Sequence, residues 1–153
     1  MLDDPINVDH LCFNMSKSAG HALYAFTQDR EIGVDIEKIR DISEMENIVR
    51  LFFSEPEQAA VASLPPQEKI RGFFDIWTRK EALIKALGGG LSMPLIKFDL
   101  SLGLRNQGTF INRDEVIGPT GQWTIQDISP FQECSAAVAV EGSGFTFKGW
   151  NWR

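Results

Sequence analysis

The stretch from Gln67 to Leu87, set between Pro65-Pro66 and Gly88-Gly89-Gly90, does most to constrain what this chain can fold into. At about 100° per residue, Ile70, Phe74, Trp77, Ile84 and Gly88 fall on one stripe, with Phe73 at its edge. That pattern predicts a long helix packed along this face against a sheet. Glu81 interrupts the stripe, four residues after Trp77 and three before Ile84. An unpaired carboxylate buried there would cost several kcal/mol, so it needs a partner. Lys85, one turn on, supplies the plainest one, an i, i+4 pair that stabilises a helix by only a few tenths of a kcal/mol.

A second pair of acids sits in Gly33-Val34-Asp35-Ile36-Glu37. In a strand the side chains alternate, so Asp35 and Glu37 share one face while Val34 and Ile36 take the other. Neighbouring carboxylates repel unless water screens them or a cation bridges them. Alone, the motif also fits a solvent-facing strand end, with Lys38 following. Together with Glu81 it predicts a three-carboxylate site, Asp35, Glu37 and Glu81, where the strand end meets the helix, with oxygen ligands of the kind magnesium takes.

The remaining sequence narrows the class. Fifteen Lys and Arg against 21 Asp and Glu give a net charge of -6, which argues against a broad basic face and hence against nucleic acid as partner. Apolar runs are short, so no membrane span is expected. The start, Met1-Leu2-Asp3-Asp4-Pro5, carries acids where an export signal carries basic residues, which makes a cytoplasmic protein the expectation. Cys12 and Cys134 with His10 and His21 are too few for a zinc centre. Strands are expected at Leu11–Met15, Ala22–Thr27 and Ile32–Glu37, and again around Gly108–Ile111, Trp123–Asp127, Ala136–Val140 and Phe145–Trp150. Helices are expected after the capping-box spacings Ser43/Glu46 and Ser54/Glu57. Strands, then helices, then strands indicate an α+β protein of a single domain, residues 1–153, with an antiparallel sheet against the long helix. Gly88-Gly89-Gly90 follows a helix and reads as its cap, not as a phosphate-binding loop.

Gly33-Val34-Asp35-Ile36-Glu37 and Trp77-Thr78-Arg79-Lys80-Glu81-Ala82-Leu83-Ile84-Lys85 closely resemble the two signature motifs of the 4'-phosphopantetheinyl transferases. Phe13-Asn14-Met15-Ser16, Phe52-Phe53-Ser54-Glu55-Pro56-Glu57 and Gly90-Leu91-Ser92-Met93-Pro94-Leu95 resemble that family in order and spacing as well. The resemblance implies transfer of the phosphopantetheine arm of coenzyme A to a serine of an acyl or peptidyl carrier protein, with release of 3',5'-ADP. It implies magnesium on Asp35, Glu37 and Glu81, coenzyme A contacts from Ser16, Lys17, Lys80 and Lys85, and catalytic roles for Glu81, Lys85 and Glu57. Glu57 is equally explained as the capping partner of Ser54.

Two departures from the family stand out. Relatives place a histidine after the serine that matches Ser16, where this chain has Lys17. The chain also resembles the long, pseudo-twofold, surfactin-synthetase-activating type while lacking most of its first half. The expectations are therefore a Met1 that is an internal or truncated start, exposed apolar surface, and self-association through the face the first half would cover. A non-catalytic binding module that keeps the fold and the metal site is the alternative reading. Because carrier domains are acidic, Lys69, Arg71, Arg79 and Lys80 along the long helix are the expected docking patch.

Overall fold

The computed structural model describes residues 10–101, 107–112 and 121–152. Strands β1 (Leu11–Ser18) and β2 (His21–Gln28) form an antiparallel hairpin across the two-residue turn Ala19-Gly20. Strand β3 (Ile32–Lys38) joins a second, four-stranded antiparallel sheet with β4 (Gln107–Asn112), β5 (Gly121–Asp127) and β6 (Cys134–Glu141), in the order β3-β6-β5-β4. Helices α1 (Met45–Phe52), α2 (Glu55–Ala62) and α3 (Lys69–Leu87) lie between β3 and β4 in the chain. This is the expected α+β arrangement, with the long helix packed on the antiparallel sheet.

The contact between α3 and β3 is unusually close. A Cβ added to Gly33 would lie 2.0 Å from the carbonyl oxygen of Ala82 and 2.5 Å from the backbone nitrogen of Ala86. Glycine on the strand and alanines on the helix therefore let the two backbones touch. Above this seam lies a core of Leu83, Leu87, Phe98, Leu100, Trp123 and Ile125. A second cluster, Phe53, Val61, Phe73, Phe74 and Ile76, anchors α1 and α2 against the opposite side of α3. Cys134 is buried and Cys12 half-buried, both as free thiols.

Several expectations are revised. The sheet-facing side of α3 runs through Thr78, Ala82 and Ala86, while Ile70, Trp77, Glu81 and Lys85 are only partly buried. The helix is covered on most sides, so apolar spacing alone did not single out the sheet face; Glu81 sits at its rim. Helix α1 starts at Met45 behind Glu44 with no side-chain cap, whereas Ser54 and Glu57 form the full reciprocal capping box on α2. Residues 145–150 are not a strand, although Phe145 and Phe147 pack on the Ile32, Val34, Val138 and Val140 cluster. Gly88 ends α3 in the left-handed region, φ 73°, and its N–H bonds the carbonyls of Ile84 and Lys85. The expectations for Met1–Pro5 and for most of the Gly118–Gly121 turn lie outside the described residues. Among the described residues no helix is long and apolar enough to cross a membrane.

The outer face of the hairpin is bare. Phe13 opposes Phe26 and Met15 opposes Tyr24 across the strands. These four and Leu11 are between 42% and 66% exposed.

Gly33→Ala is expected to cost about 3 kcal/mol or more, because backbone atoms cannot yield to the new methyl group. Gly149→Ala, where nothing lies within 4 Å of the added Cβ, is the control and should leave the urea midpoint unchanged.

Candidate functional site

Strand alternation turns Asp35 and Glu37 to the same face as Gly33, the face that α3 covers. The side chain of Asp35 is accordingly buried. Its Oδ1 accepts from the Ser16 hydroxyl at 3.0 Å and from Lys85 Nζ at 3.1 Å. Lys85 also donates to the carbonyl of Val34, at 3.0 Å, which uses two of its three N–H groups. Oδ2 of Asp35 is buried with no hydrogen-bond partner among the described residues. Glu37 is partly exposed beside Arg40, 3.6 Å away. Glu81 faces the same region from α3. The expected local pair with Lys85 does not form: Lys85 is drawn across to Asp35, and Glu81 makes no salt bridge among the described residues.

The three carboxylates feel one another. Burial pushes the Asp35 carboxyl above the usual range, with Lys85 pulling it back. Burial raises Glu37 too, and the charge of Asp35 raises it further. Glu81 is raised by burial first, then by Asp35, against the opposing pull of Lys85. Such a group of anions, with one buried oxygen left unpaired, has the chemistry of a hard-cation site. Its side chains are not gathered as ligands: among the described residues no group of three His, Cys, Asp or Glu is placed to hold a metal ion. The oxygen donor set and the orphaned Oδ2 fit a divalent cation in kind, and Glu37 and Glu81 are the long, partly exposed members able to adjust to one.

Strand β1 supplies the other wall. Asn14 Oδ1 accepts from the N–H of Val34 at 3.0 Å, Ser16 Oγ from Ile36 at 3.2 Å and Ser18 Oγ from Lys38 at 2.9 Å. Three alternate side chains of β1 thus satisfy the edge of β3 that β6 does not. The sequence signal is a short polar side chain at every second position, Asn14, Ser16 and Ser18, of which only Ser16 is an expected site residue. Lys17, next to Ser16, is exposed.

Two expected site residues lie elsewhere. Lys80 and Glu57 are each 0% exposed and form an ion pair at 2.7 Å. Lys80 Nζ also donates to the carbonyls of Leu95 and Phe98, both at 2.7 Å, so all its donors are used and none can reach a phosphate. Glu57 accepts from the N–H groups of Ser54 and Leu100, at 2.8 and 2.7 Å, and cannot meet an incoming serine. Burial pushes the Glu57 carboxyl up and the Lys80 ammonium down, each opposed by the charge of the other. The expected basic docking patch fails with them. Arg79 is buried in a two-pronged bond to Asp127, with N···O distances of 2.8 and 2.6 Å, and Arg71 is tied to Asp75.

The cluster lies within a stretch matched by known proteins. The model of the 4'-phosphopantetheinyl transferase superfamily matches residues 31–139. The chain is 33% identical over 152 residues to the 4'-phosphopantetheinyl transferase HetI of Nostoc sp., covering 99% of this chain and 61% of that protein. It is 38% identical over 90 residues to the 4'-phosphopantetheinyl transferase Sfp of Bacillus subtilis, covering 59% of this chain and 39% of that one. It is 35% identical over 92 residues to the 4'-phosphopantetheinyl transferase AcpT of Salmonella typhimurium, covering 60% and 47%. The chain thus spans less than two thirds of the length of each of these relatives.

Burial of these carboxylates, with mutual repulsion added at Glu37 and Glu81, carries a pH signature. Folded-state pKa values raised above the unfolded ones mean that the folded chain holds these protons more tightly. Their contribution to stability is therefore full at acid pH and lost as pH rises through the raised values. Removing one charge should help at neutral pH. In chelator, Glu81→Gln is expected to raise Tm at pH 7 by about 2–4 °C, the effect of ~1 kcal/mol in a domain of this size. The gain should vanish below the ordinary carboxylate range, as measured by thermal melts from about pH 3 to 8.

Proposed function

The chain belongs to the 4'-phosphopantetheinyl transferase superfamily, and on that premise we propose that it transfers the 4'-phosphopantetheine arm of coenzyme A to a serine of an acyl or peptidyl carrier protein. The serine hydroxyl attacks the phosphorus next to the pantetheine; the P–O bond to 3',5'-ADP breaks, and the nucleotide leaves. The observation that carries this reading is the meeting of Asp35, Glu37, Glu81 and Lys85 at the seam of β3 and α3.

Asp35, Glu37 and Glu81 would hold a divalent cation, magnesium by the hardness of their oxygens, which when bound neutralises charge on the pyrophosphate. The chain's own residues do the rest. Lys85 keeps one N–H free after bonding Asp35 and Val34, and offers it to a phosphate oxygen. Lys17, where relatives carry a histidine, alternates onto the exposed outer face of β1 with Phe13 and Met15, so Lys85 is the cation that faces the carboxylates. With Glu57 sealed in its capping box, Glu81 is the carboxylate of the set that can take the serine's proton. The reaction is read as cytoplasmic.

Self-association belongs to the same reading, with a second copy of this chain as occupant of the apolar hairpin face. Five large apolar side chains on one small sheet make a patch of the kind that marks an interface.

The test is mass spectrometry of an apo carrier protein incubated with the chain, coenzyme A and magnesium. One phosphopantetheine arm should be added by the wild type and lost with chelator. In Glu81→Ala the rate should fall about 100-fold or more, the order expected when a charge-stabilising group is removed. A folded wild type that leaves the carrier unmodified sinks the reading and favours a binding module. Sedimentation of the same sample should show dimers that Phe13→Ser with Phe26→Ser converts to monomers; a monomeric wild type rejects the self-association alone.

A further inference from the structure

The open edge of β3 raises a problem that the fold solves with side chains. One edge of this strand pairs with the backbone of β6. On the other, the N–H groups of Val34, Ile36 and Lys38 find no neighbouring backbone and are met by Asn14, Ser16 and Ser18. The three acceptors sit at alternate positions of β1, so they share one face and advance in step with alternate residues of β3. The N–H of Ile36 is buried, that of Val34 partly so and that of Lys38 exposed; shielded N–H groups left without acceptors are rare because of what they cost, so the first two teeth fix β1 against β3 in one register.

Its middle tooth differs from the others. Asn14 and Ser18 end on the backbone, whereas the Ser16 hydroxyl goes on to Asp35 Oδ1, 3.0 Å away. Because Ser16 Oγ already accepts from Ile36, its own proton is directed to the carboxylate. Lys85 reaches the same Oδ1 from α3. With Oδ1 held from two sides the carboxylate cannot turn, and Oδ2 is the atom left without a partner. Ser16 is 8% exposed and its only hydrogen is committed, so it has none to give a phosphate.

We propose that Ser16 is a positioning residue: it takes its orientation from the β3 backbone and locks the Asp35 carboxylate so that Oδ2 is the fixed, open donor to a divalent cation. This departs from the coenzyme contact expected of Ser16. It rests on the reading of Asp35, Glu37 and Glu81 as a cation site. Groups that orient metal ligands typically change metal affinity 10–100-fold when removed, and a buried serine on an aspartate is such a group.

The test is titration of the purified chain with Mn2+, free ion being followed by electron paramagnetic resonance, alongside coenzyme A binding measured calorimetrically in chelator. Wild type should bind Mn2+ and Asp35→Asn should not; a wild type that binds none defeats the cation reading and the proposal with it. Given binding, Ser16→Ala should weaken Mn2+ affinity about tenfold and leave chelator-phase coenzyme A affinity unchanged. Ser16→Thr, which keeps the hydroxyl, should restore it. Asn14→Ala removes a tooth that does not touch Asp35, and should lower Tm without moving Mn2+ affinity. Unaltered Mn2+ affinity in Ser16→Ala overturns the proposal, as does an equal loss in Asn14→Ala, which would mark a general loosening of β1. So does a loss of coenzyme A affinity alone in Ser16→Ala, which would mark a direct contact. If the alanine variant does not fold, Ser16→Cys keeps the volume with a much weaker donor and gives the same readout.

Discussion

The contact of Gly33 with the backbone of Ala82 and Ala86 is the constraint from which the rest follows. A strand and a helix normally stand apart by the thickness of their side chains. Here glycine and alanine remove that layer, so groups flanking the seam come within hydrogen-bond reach. Asp35, two residues along β3 from Gly33, meets Lys85, which lies one residue before Ala86 on α3. The same closeness buries the carboxylate and costs hydration, which Lys85 and Ser16 only partly replace. Side-chain-free packing and a charged site are thus two results of one approach.

Two ionic clusters flank α3, and they divide the work by solvent access. Glu57 and Lys80 are sealed, and each is satisfied by backbone groups in addition to its partner. Those bonds hold the segment from Leu95 to Leu100 against α2 and α3, and losing either charge alone would strand the other in the core. Glu37, Glu81 and Lys85 lie on the rim with Asp35 buried beside them, and there an oxygen and an N–H have no partner among the described residues. Satisfied buried charges fasten a structure; partly satisfied ones at an opening can take a ligand. That difference separates chain neighbours, since Lys80 is sealed in the core and Glu81 beside it is partly exposed.

Much of this was written locally. Alternation placed Asp35 and Glu37 on one face, the Ser54/Glu57 spacing made its capping box, and Gly88 closed α3. The α+β order followed from strand and helix patterns, and the two motifs led to the superfamily. Other readings failed where local pattern and burial part. Ser43 and Glu46 had the spacing of a cap, yet α1 starts at Met45 and no side chain caps it. Phe145 to Trp150 had the composition of a strand, but its two phenylalanines pack as coil.

What the sequence determined by itself was the order of strands and helices, the Ser54/Glu57 and Gly88 caps, and which carboxylates share a strand face, all features of residues close together in the chain. What tertiary structure decided was pairing. Whether Lys85 bonds Glu81 four residues away or Asp35 fifty residues back depends on which anion is more deeply buried and nearer, and only the docked helix sets that. Whether Lys80 and Arg79 face solvent depends on the packing of residues 95–101 and of the sheet around them, because α3 is covered on most of its sides. A helix wheel assigns one buried face; a helix held between a sheet and two other helices has several, and charged side chains on those faces find partners that no spacing rule contains.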